Sequence, residues 1–356
     1  MNMMNLEDRK KMPVVILALP KDIVLHFLNM LQFAIDEARL WEEGSDLNSP
    51  ARVLHPFRMH CYAALRRLSF HAELVPSVLY LQGRRMPTIE GSALATGSFA
   101  QVFRGKWLGR TVAQKRFHPA YDPDEQERKR LRCLREIVLW RQLSHKNVLP
   151  LLGIFDVGGT DDLGELRLAM VSPWAHNANV INYVTKQGGN PTSILAAVAD
   201  VLSYMHAHDP PMVHGDIHPG NILIDKYGHP LVTDFGLSRF HGSSTTNGTS
   251  GDKGPDAYRP PEHWDLTQPR WEPTTYSDMY SFGCLCFHIY ALRAPWQGRT
   301  PRRIEISVKA GERPERPSEG ISDPAWVIIQ SCWVHESKRR MSSTEAWVAL
   351  KRLGNI

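Results

Sequence analysis

The most informative stretch of the chain is residues 213–224, which read Val-His-Gly-Asp-Ile-His-Pro-Gly-Asn-Ile-Leu-Ile. It places an acid, Asp216, five residues before an amide, Asn221, between apolar flanks. An aspartate can accept a proton from a hydroxyl group, and an asparagine can offer its carbonyl oxygen to a hard cation. Asp234 follows an apolar run and precedes the glycine turn of Phe235 and Gly236, so it suits a second Mg²⁺ ligand. The spacing indicates chemistry on a hydroxyl group beside a bound cation.

Two further charged residues lie upstream of this stretch. Lys115 ends a strand-like run, and Glu136 follows 21 residues later within a long helical segment. A lysine that points into a cleft needs a counter-charge, because burial alone favours its neutral form. A single lysine and a single glutamate are most often solvated surface residues, so their pairing is a hypothesis that depends on the rest of the pattern.

Residues 95–102, which read Ala-Thr-Gly-Ser-Phe-Ala-Gln-Val, connect two strand-like runs with small residues. Small residues allow a backbone to lie close over a phosphate chain. A GxGxxG template needs glycine at positions 95, 97 and 100, whereas this chain has Gly97 and two alanines. The stretch by itself fits a structural hairpin equally well.

In combination and in this order, the residues resemble the eukaryotic protein kinases, from about Thr88 to Leu350. The phrases at residues 134–140 and 147–153 resemble the tyrosine-kinase-like group most. Later landmarks of the family also match: Asp278 begins a segment like the buried helix of the large lobe, and Arg340 stands where the family pairs an arginine with Glu262. The residues that carry the resemblance are Gly97, Val102, Ala113, Lys115, Glu136, His214, Asp216, Asn221, Asp234, Phe235, Gly236, Pro261 and Glu262.

The resemblance implies a role for each candidate catalytic or metal-binding residue. Lys115 would hold the α- and β-phosphates of ATP, and Glu136 would fix Lys115. Asp216 would orient the substrate hydroxyl and accept its proton, while Asn221 and Asp234 would hold Mg²⁺. Asp278 would brace the backbone of the catalytic loop.

The resemblance also implies a nucleotide pocket. Val102, Ala113 and Leu223 would lie on the two sides of the adenine ring. The alternative for all three side chains is that they pack in the apolar core. Ser172 falls at the gatekeeper position before a hinge in which Pro173 offers its carbonyl and Ala175 keeps its N–H. The implied nucleotide-binding residues are Ala95, Gly97, Val102, Ala113, Lys115, Ser172, Pro173, Ala175 and Leu223.

Several positions depart from the family pattern. The alanines of the glycine-rich loop predict weaker nucleotide binding. Gly215 replaces the arginine that receives an activation-loop phosphate in many kinases, so we expect no need for that phosphate. His218, a candidate catalytic residue, replaces a lysine beside the γ-phosphate; an imidazole is only partly charged at neutral pH, which predicts weakened transfer. Pro255 is typical of tyrosine kinases, whereas the loop around Pro219 favours Ser/Thr substrates.

The periodicity of the chain predicts the elements that position these residues. Apolar residues at helical spacing predict helices over residues 21–41 and 57–71 and a long helix over 124–143. Strand-like runs cover residues 99–107, 111–116 and 166–171, and helical patterns dominate after Asn190. The fold expected is α+β with two lobes: a small antiparallel β lobe with one helix (residues 88–174) and a larger helical lobe (residues 175–353). Residues 1–87 are expected to form a helical extension that packs on this domain or docks a regulatory partner.

Composition narrows the remaining possibilities. The 356 residues are 42% apolar and 22% charged, which is typical of a soluble globular chain. A formal net charge of +5 is too small to predict nucleic-acid binding. Five cysteines without metal-ligand spacing favour a reducing, cytoplasmic location, and no apolar run is long enough to span a membrane.

The function expected is transfer of the γ-phosphate of ATP, with Mg²⁺, to Ser or Thr hydroxyls of protein substrates in intracellular signalling, with Tyr hydroxyls as the second choice. The alternative is a pseudokinase that binds nucleotide and acts as a scaffold. All five central residues (Lys115, Glu136, Asp216, Asn221 and Asp234) are present, which favours activity. A kinase for small molecules is a more distant alternative, because Pro261 and Glu262 belong to a peptide-substrate apparatus.

Overall fold

The structure is a computed structural model that describes residues 19–43, 54–81, 86–96, 100–118, 122–157, 168–240, 255–265 and 271–356. The chain forms two compact units. The first comprises residues 1–142 and 150–173, and the second comprises residues 143–149 and 174–356.

An antiparallel sheet forms the centre of the first unit. Its spatial order is β1-β3-β4-β6-β5, and β2 also pairs with β3. The β3–β4 hairpin turns at Leu108 and Gly109, whose φ angles of 47° and 76° suit the primed turns that match strand twist. The strands are β1 (Thr88–Ile89), β2 (Ala95–Thr96), β3 (Ala100–Trp107), β4 (Arg110–Phe117), β5 (Gly153–Asp156) and β6 (Leu168–Pro173).

The register of this sheet separates an apolar face from a face that carries the predicted site residues. Val112, Phe155, Ala169 and Val171 form a buried cluster on one face. Since side chains alternate along a strand, Ala113 and Lys115 of β4 point to the opposite face. The sheet therefore carries the apolar cluster on one face and the predicted site residues Ala113 and Lys115 on the other.

Three helices complete the first unit: α1 (Lys21–Glu43), α2 (Leu54–Ala72) and α3 (Pro123–Gln142). The side chains of α1 that are buried recur every three or four residues, at Val24, Leu28, Gln32, Ile35 and Ala38. This stripe faces α2, and α2 in turn packs on α3. Helix α3 begins beside Asp122, whose carboxylate accepts the backbone N–H of Glu125 at 3.0 Å.

The second unit is largely helical. Helix α6 is buried almost all round, as expected for a central helix, and it begins with a capping box formed by Thr274 and Ser277. Helix α5 is capped by Asn190 and packs against α6 and α9. The helices are α4 (Val180–Gln187), α5 (Pro191–His206), α6 (Thr275–Ala291), α7 (Pro301–Lys309), α8 (Asp323–Cys332) and α9 (Ser343–Gly354).

Two short antiparallel strand pairs carry the loops of interest in this unit. Strand β7 (Met212–Val213) pairs with β10 (Arg239–Phe240), and β8 (Ile222–Ile224) pairs with β9 (Pro230–Val232). Asp216 therefore lies between β7 and β8, and Asp234 lies between β9 and β10.

The expected α+β fold, with a strand-rich lobe, a helical lobe and N-terminal helices, is confirmed. The three predicted helices of the first unit are present, with ends that differ from the predicted ones by no more than three residues. One apolar side chain of α1, that of Phe27, is 46% exposed although it lies next to the buried Leu28. Among the described residues, no helix combines the length and apolarity needed to cross a bilayer.

Candidate functional site

The first group of site residues is built around Lys115. Strand β4 carries Lys115, helix α3 carries Glu136, and Nζ of the lysine lies 2.7 Å from Oε1 of the glutamate. The glutamate side chain is 1% exposed and the lysine side chain 18%. Because a buried charge is costly without a counter-charge, this contact compensates the carboxylate of Glu136 and holds the ammonium of Lys115 at a fixed point on the sheet.

The strand register gathers the predicted nucleotide-binding residues of the first unit beside this ion pair. Val102 lies directly opposite Lys115, and Ala95 lies opposite Val102. Ala113 lies opposite Ser172, which is buried. Directly opposed residues share a face, so these five side chains form one continuous patch. The patch joins small and apolar side chains to the ammonium group of Lys115, a combination that suits an aromatic base with attached phosphates.

Four predicted nucleotide-binding residues lie outside this patch. Pro173 pairs with Val112, so its ring points to the opposite, apolar face. Ala175 is buried and belongs to the second unit, as does Leu223 on β8. Gly97 lies outside the described residues.

The second group of site residues is centred on Asp216. The Asn221 side-chain amide donates to the main-chain oxygen of Asp216 at 2.9 Å and to its Oδ2 at 3.0 Å. Both hydrogens of this amide therefore point at Asp216, and the carbonyl oxygen Oδ1 is the atom that can face a cation. His218 Nε2 lies 3.6 Å from Asp216 Oδ2, and His218 Nδ1 accepts the N–H of Gly220 at 3.1 Å.

A buried carboxylate on α6 holds the backbone of this loop. Asp278 accepts the N–H of His214 on Oδ2 and the N–H of Gly215 on Oδ1, both at 2.8 Å. His206 Nε2 lies 2.9 Å from the same Oδ2. Asp278 therefore braces the loop as predicted, whereas His206 was not anticipated, because nothing in its position at the end of an apolar helix distinguishes it.

His214 links this loop to Asp234. Its Nδ1 accepts the N–H of Asp216 at 3.2 Å, and its Nε2 lies 3.2 Å from the carbonyl of Thr233. Burial lowers the pKa of His214, although three neighbouring carboxylates act in the opposite direction. The imidazole is therefore neutral at pH 7, with its hydrogen on Nε2, and it fixes the spacing between the two segments.

Asp234 and Asn221 come together at the open end of the β8–β9 pair. The N–H of Thr233 donates to the carbonyl of Asn221 at 3.0 Å, which continues the ladder by one step. Asp234 has a left-handed backbone (φ 64°), and its Oδ1 accepts the N–H of Gly236 at 3.3 Å. A non-glycine residue in this conformation is strained, and such strain is concentrated at functional sites.

The donor set of these two residues fits magnesium. A carboxylate and an amide carbonyl are hard oxygen donors, and Mg²⁺ retains several waters and needs few protein ligands. Within the ranges that the structure describes, no group of three His, Cys, Asp or Glu side chains is placed to hold a metal. The soft, closed ligand set of a structural zinc site is thus not seen there.

A further ion pair anchors the segment Pro261–Trp264. Arg340 forms two 2.7 Å contacts with the two oxygens of Glu262 and also donates to the carbonyl of Tyr276 at 2.8 Å. This is the pair that the sequence pattern predicts. The arginine side chain is fully buried, so the fork of the guanidinium fixes this segment on the N-terminus of α6.

Comparisons with known proteins agree with this arrangement. Residues 89–350 match the family model described as protein tyrosine and serine/threonine kinase. The serine/threonine-protein kinase CTR1 of Arabidopsis thaliana is 26% identical over 70% of this chain and 29% of its own length. The tyrosine-protein kinase SRK3 of Spongilla lacustris is 29% identical over 69% of this chain and 70% of its own length. Two other relatives are matched over only 15% and 25% of their lengths.

Proposed function

The chain belongs to the family of protein tyrosine and serine/threonine kinases, and from this premise we propose that it transfers the γ-phosphate of ATP to hydroxyl groups of protein substrates. The observation that carries the proposal is the bonding of Asp216, whose carboxylate is held by Asn221 at 3.0 Å within a loop braced by Asp278. A carboxylate held in this way can receive a proton without reorganising.

Each central residue has a defined task in this proposal. Lys115, fixed by Glu136, binds the α- and β-phosphates of ATP. Asp216 orients the substrate hydroxyl and takes its proton as the hydroxyl oxygen bonds to the γ-phosphorus and the bond to the β-phosphate oxygen breaks, with ADP leaving with that electron pair. Asn221 and Asp234 hold Mg²⁺, which when bound neutralises charge on the phosphates.

The adenine ring is proposed to lie against the patch on the sheet. Val102 and Ala113 of the patch contact the ring in this proposal, and Leu223 of the second unit is proposed as a further nucleotide-binding residue. Ser172 serves as gatekeeper, Pro173 and Ala175 serve as the hinge, and Ala95 and Gly97 line the loop over the phosphates. The strand register supports this assignment for Ala95, Val102, Ala113 and Ser172, since it places them on the face that carries Lys115.

We propose serine and threonine as the main acceptor residues of the substrate and tyrosine as a secondary acceptor. The catalytic loop with Pro219 supports the first choice, and Pro255 supports the second. The names of the matched relatives include both kinds of kinase. A cytoplasmic location is a further proposal, supported by five cysteines that are all free thiols.

The test is phosphate transfer from labelled ATP and Mg²⁺ to the protein itself and to a generic protein substrate, followed by phosphoamino-acid analysis. The preparation should carry no phosphate at the outset, because Gly215 offers no guanidinium to receive one. We expect phosphoserine and phosphothreonine from the wild type and none from Lys115→Met. Nucleotide binding without any transfer would instead support the pseudokinase alternative.

A further inference from the structure

The N-terminal helix α1 contacts the last turn of α3, the helix that carries Glu136, through three side chains. Asp36 Oδ2 lies 2.7 Å from Arg141 Nη2, and the Arg39 guanidinium donates to the main-chain oxygen of Gln142 at 2.9 Å. The side-chain amide of Gln142 donates to Gln32 Oε1 at 2.9 Å. All three contacts join residues more than one hundred positions apart in the chain.

The contacts of Arg39 and Gln32 with Gln142 hold the C-terminal end of α3 in place. The last carbonyls of a helix lack intrahelical partners and carry the negative end of the dipole, so a guanidinium at Gln142 caps α3 from outside. Gln32 and Gln142 are both buried, at 0% and 5% exposure. Separating two buried amides would leave donors and acceptors without partners, which opposes any sliding of α3 relative to α1.

Helix α2 and the residue after it contact α3 closer to its start. Arg130 of α3 forms an ion pair with Glu73, which directly follows α2. The guanidinium of Arg135 lies over the ring of Phe70, 5.5 Å from its centroid. Helix α3 is thus held on both sides of Glu136 by side chains of the extension.

The extension is also attached to the sheet. Asn29 of α1 exchanges two hydrogen bonds of 2.8 Å with Ser77, and the N–H of Leu81 donates to the carbonyl of Ile154 on β5 at 2.8 Å. The helices therefore have a fixed connection to the same sheet that carries Lys115, and they can set the position of α3 relative to that sheet.

We infer that α1 and α2 position α3 so that Glu136 reaches Lys115, which makes Gln32, Asp36 and Arg39 positioning residues for phosphate transfer. The inference rests on the proposed function. Arg141 is about one and a half helical turns from Glu136, so a helix transmits a shift of its end to the glutamate. A displacement of that end would therefore move Glu136 Oε1 away from its position 2.7 Å from Lys115 Nζ.

The test compares two ion pairs of the full chain. Asp36→Asn weakens the contact with α3, whereas Glu42→Gln weakens the contact of Glu42 with Arg58 Nε (3.0 and 3.1 Å), which joins α1 only to α2. We expect Asp36→Asn to raise KM for ATP and to lower kcat/KM about tenfold, because small misplacements of catalytic groups are costly. Glu42→Gln should change neither by more than about twofold, and Asp36→Glu should restore part of the loss.

A second readout does not depend on activity. In Asp36→Asn, the backbone amides of residues 132–142 should exchange hydrogen faster than in the wild type, and in Glu42→Gln they should not. Equal effects of the two changes on exchange and on kcat/KM would overturn the inference. A wild type that transfers no phosphate would refute the proposed function instead, and the exchange comparison would still decide the positioning role.

A different observation concerns the outward face of α1. Six large apolar side chains on this helix are 40–67% exposed: Ile23, Phe27, Met30, Phe33, Leu40 and Trp41. At 3.6 residues per turn they fall within an arc of about 140°, interrupted by two polar side chains, those of His26 and Glu37. A surface helix usually presents charged and polar residues on this side, so such a face is typical of an interface.

We propose that this outward face of α1 pairs antiparallel with the same face of a second copy of the chain. In a two-fold symmetric dimer, if residue i of one copy contacts residue j of the other, then residue j of the first copy also contacts residue i of the second. An axis between residues 31 and 32 places His26 opposite Glu37, Met30 opposite Phe33, and Ile23 opposite Leu40. The two polar residues of the face thereby meet each other, twice per dimer, and four of the six apolar residues meet apolar residues, while Phe27 and Trp41 fall opposite Asp36 and Asp22.

The exposed area is sufficient for a weak dimer. Large apolar side chains present about 150–250 Å² each, so the six contribute on the order of 600 Å² per copy at their present exposure. A pair would bury on the order of 1,200 Å², the lower end of specific interfaces. We therefore expect self-association in the micromolar range rather than a permanent dimer.

Sedimentation velocity of the full chain at several concentrations tests the pairing. We expect a reversible dimer for the wild type, a monomer for Phe33→Glu, and weakened dimers for His26→Glu and for Glu37→Lys. The double change His26→Glu with Glu37→Lys should restore association, because it exchanges the two charges across the interface. A wild-type monomer at about 100 μM, as expected if another segment or another protein covers the face, would overturn the proposal.

Discussion

At the scale of single residues, His218 decides how much positive charge the catalytic loop offers to a phosphate. Its Nε2 faces the carboxylate of Asp216 at 3.6 Å, and its Nδ1 is occupied by the N–H of Gly220. Because a lysine is fully charged at neutral pH and its head is more mobile, we expect His218→Lys to raise kcat severalfold.

The measurement is kcat at saturating ATP for the wild type, His218→Lys and the uncharged control His218→Gln. The order expected is lysine above histidine above glutamine. If the lysine variant were no faster than the wild type, His218 would not be the cause of weakened transfer.

Gly215 is required by the backbone of the same loop. Its φ is +80°, and a Cβ at this position would lie 3.1 Å from the carbonyl oxygen of Leu237. We expect Gly215→Ala to lower the free energy of unfolding by more than the roughly 1–2 kcal/mol that a left-handed L-residue costs, since contact adds to strain. Gly311→Ala is the matched control, because Gly311 has a φ of +85° and an added Cβ would meet nothing within 4 Å.

Urea unfolding of both variants provides the comparison. If Gly215→Ala lowered the free energy of unfolding by no more than Gly311→Ala does, the contact with Leu237 would contribute nothing to the loss of stability. The same position explains why an arginine is hard to place here: any side chain at residue 215 meets the same constraint.

At the scale of elements, the Arg340–Glu262 pair joins the segment Pro261–Trp264 to the N-terminus of α6 and to the loop before α9. Lysine keeps the charge but cannot serve both carboxylate oxygens and the carbonyls of Tyr276 and Val334. We expect Arg340→Lys to lower the free energy of unfolding by about 2–4 kcal/mol.

The control for this change is Arg302→Lys. Arg302 pairs with Glu305 at the same 2.7 Å distance, but its side chain is 76% exposed. Water screens that pair, so its loss should cost less than about 1 kcal/mol. Similar decreases in the free energy of unfolding of the two variants would contradict a structural role for the buried guanidinium of Arg340.

The elements themselves could be predicted well from the sequence, whereas their long-range contacts could not. The periodicity of α3 predicted the helix itself, because periodicity is a local pattern, whereas the pairing of Glu136 with Lys115 was expected only from the resemblance to the protein kinases. The contact between Asp36 and Arg141 spans 105 positions and leaves no local signal, since either residue would also suit a solvated helix surface. The role of His206 beside Asp278 was missed for the same reason.

At the scale of the whole molecule, buried histidines make stability depend on pH. Burial lowers the pKa of His214 and of His288, and also that of His145 beside Asp200. The unfolded chain then takes up protons at a higher pH than the folded chain. The stabilisation is therefore complete above the ordinary histidine pKa of about 6.5 and declines as the pH falls below it.

Urea unfolding at pH 7.5 and 5.5 checks this expectation. The free energy of unfolding should be lower at pH 5.5, and the difference should shrink in His214→Gln, which removes one of the titrating groups. Equal or greater stability at pH 5.5 would show that the carboxylates around His214, those of Asp216, Asp234 and Asp278, offset its burial.

Two separate parts of the chain supply the proposed chemistry, so a change in one part should leave the other intact. Asp216 belongs to the second unit, and Lys115 belongs to the first. The most direct measurement is therefore made on Asp216→Asn, by following ATP binding and phosphate transfer in the same preparation. We predict ATP affinity within about threefold of the wild type and transfer reduced by at least about 100-fold, the lower bound for loss of a general base. Transfer retained at the wild-type rate, with ATP bound normally, would contradict the assignment of Asp216 as the base.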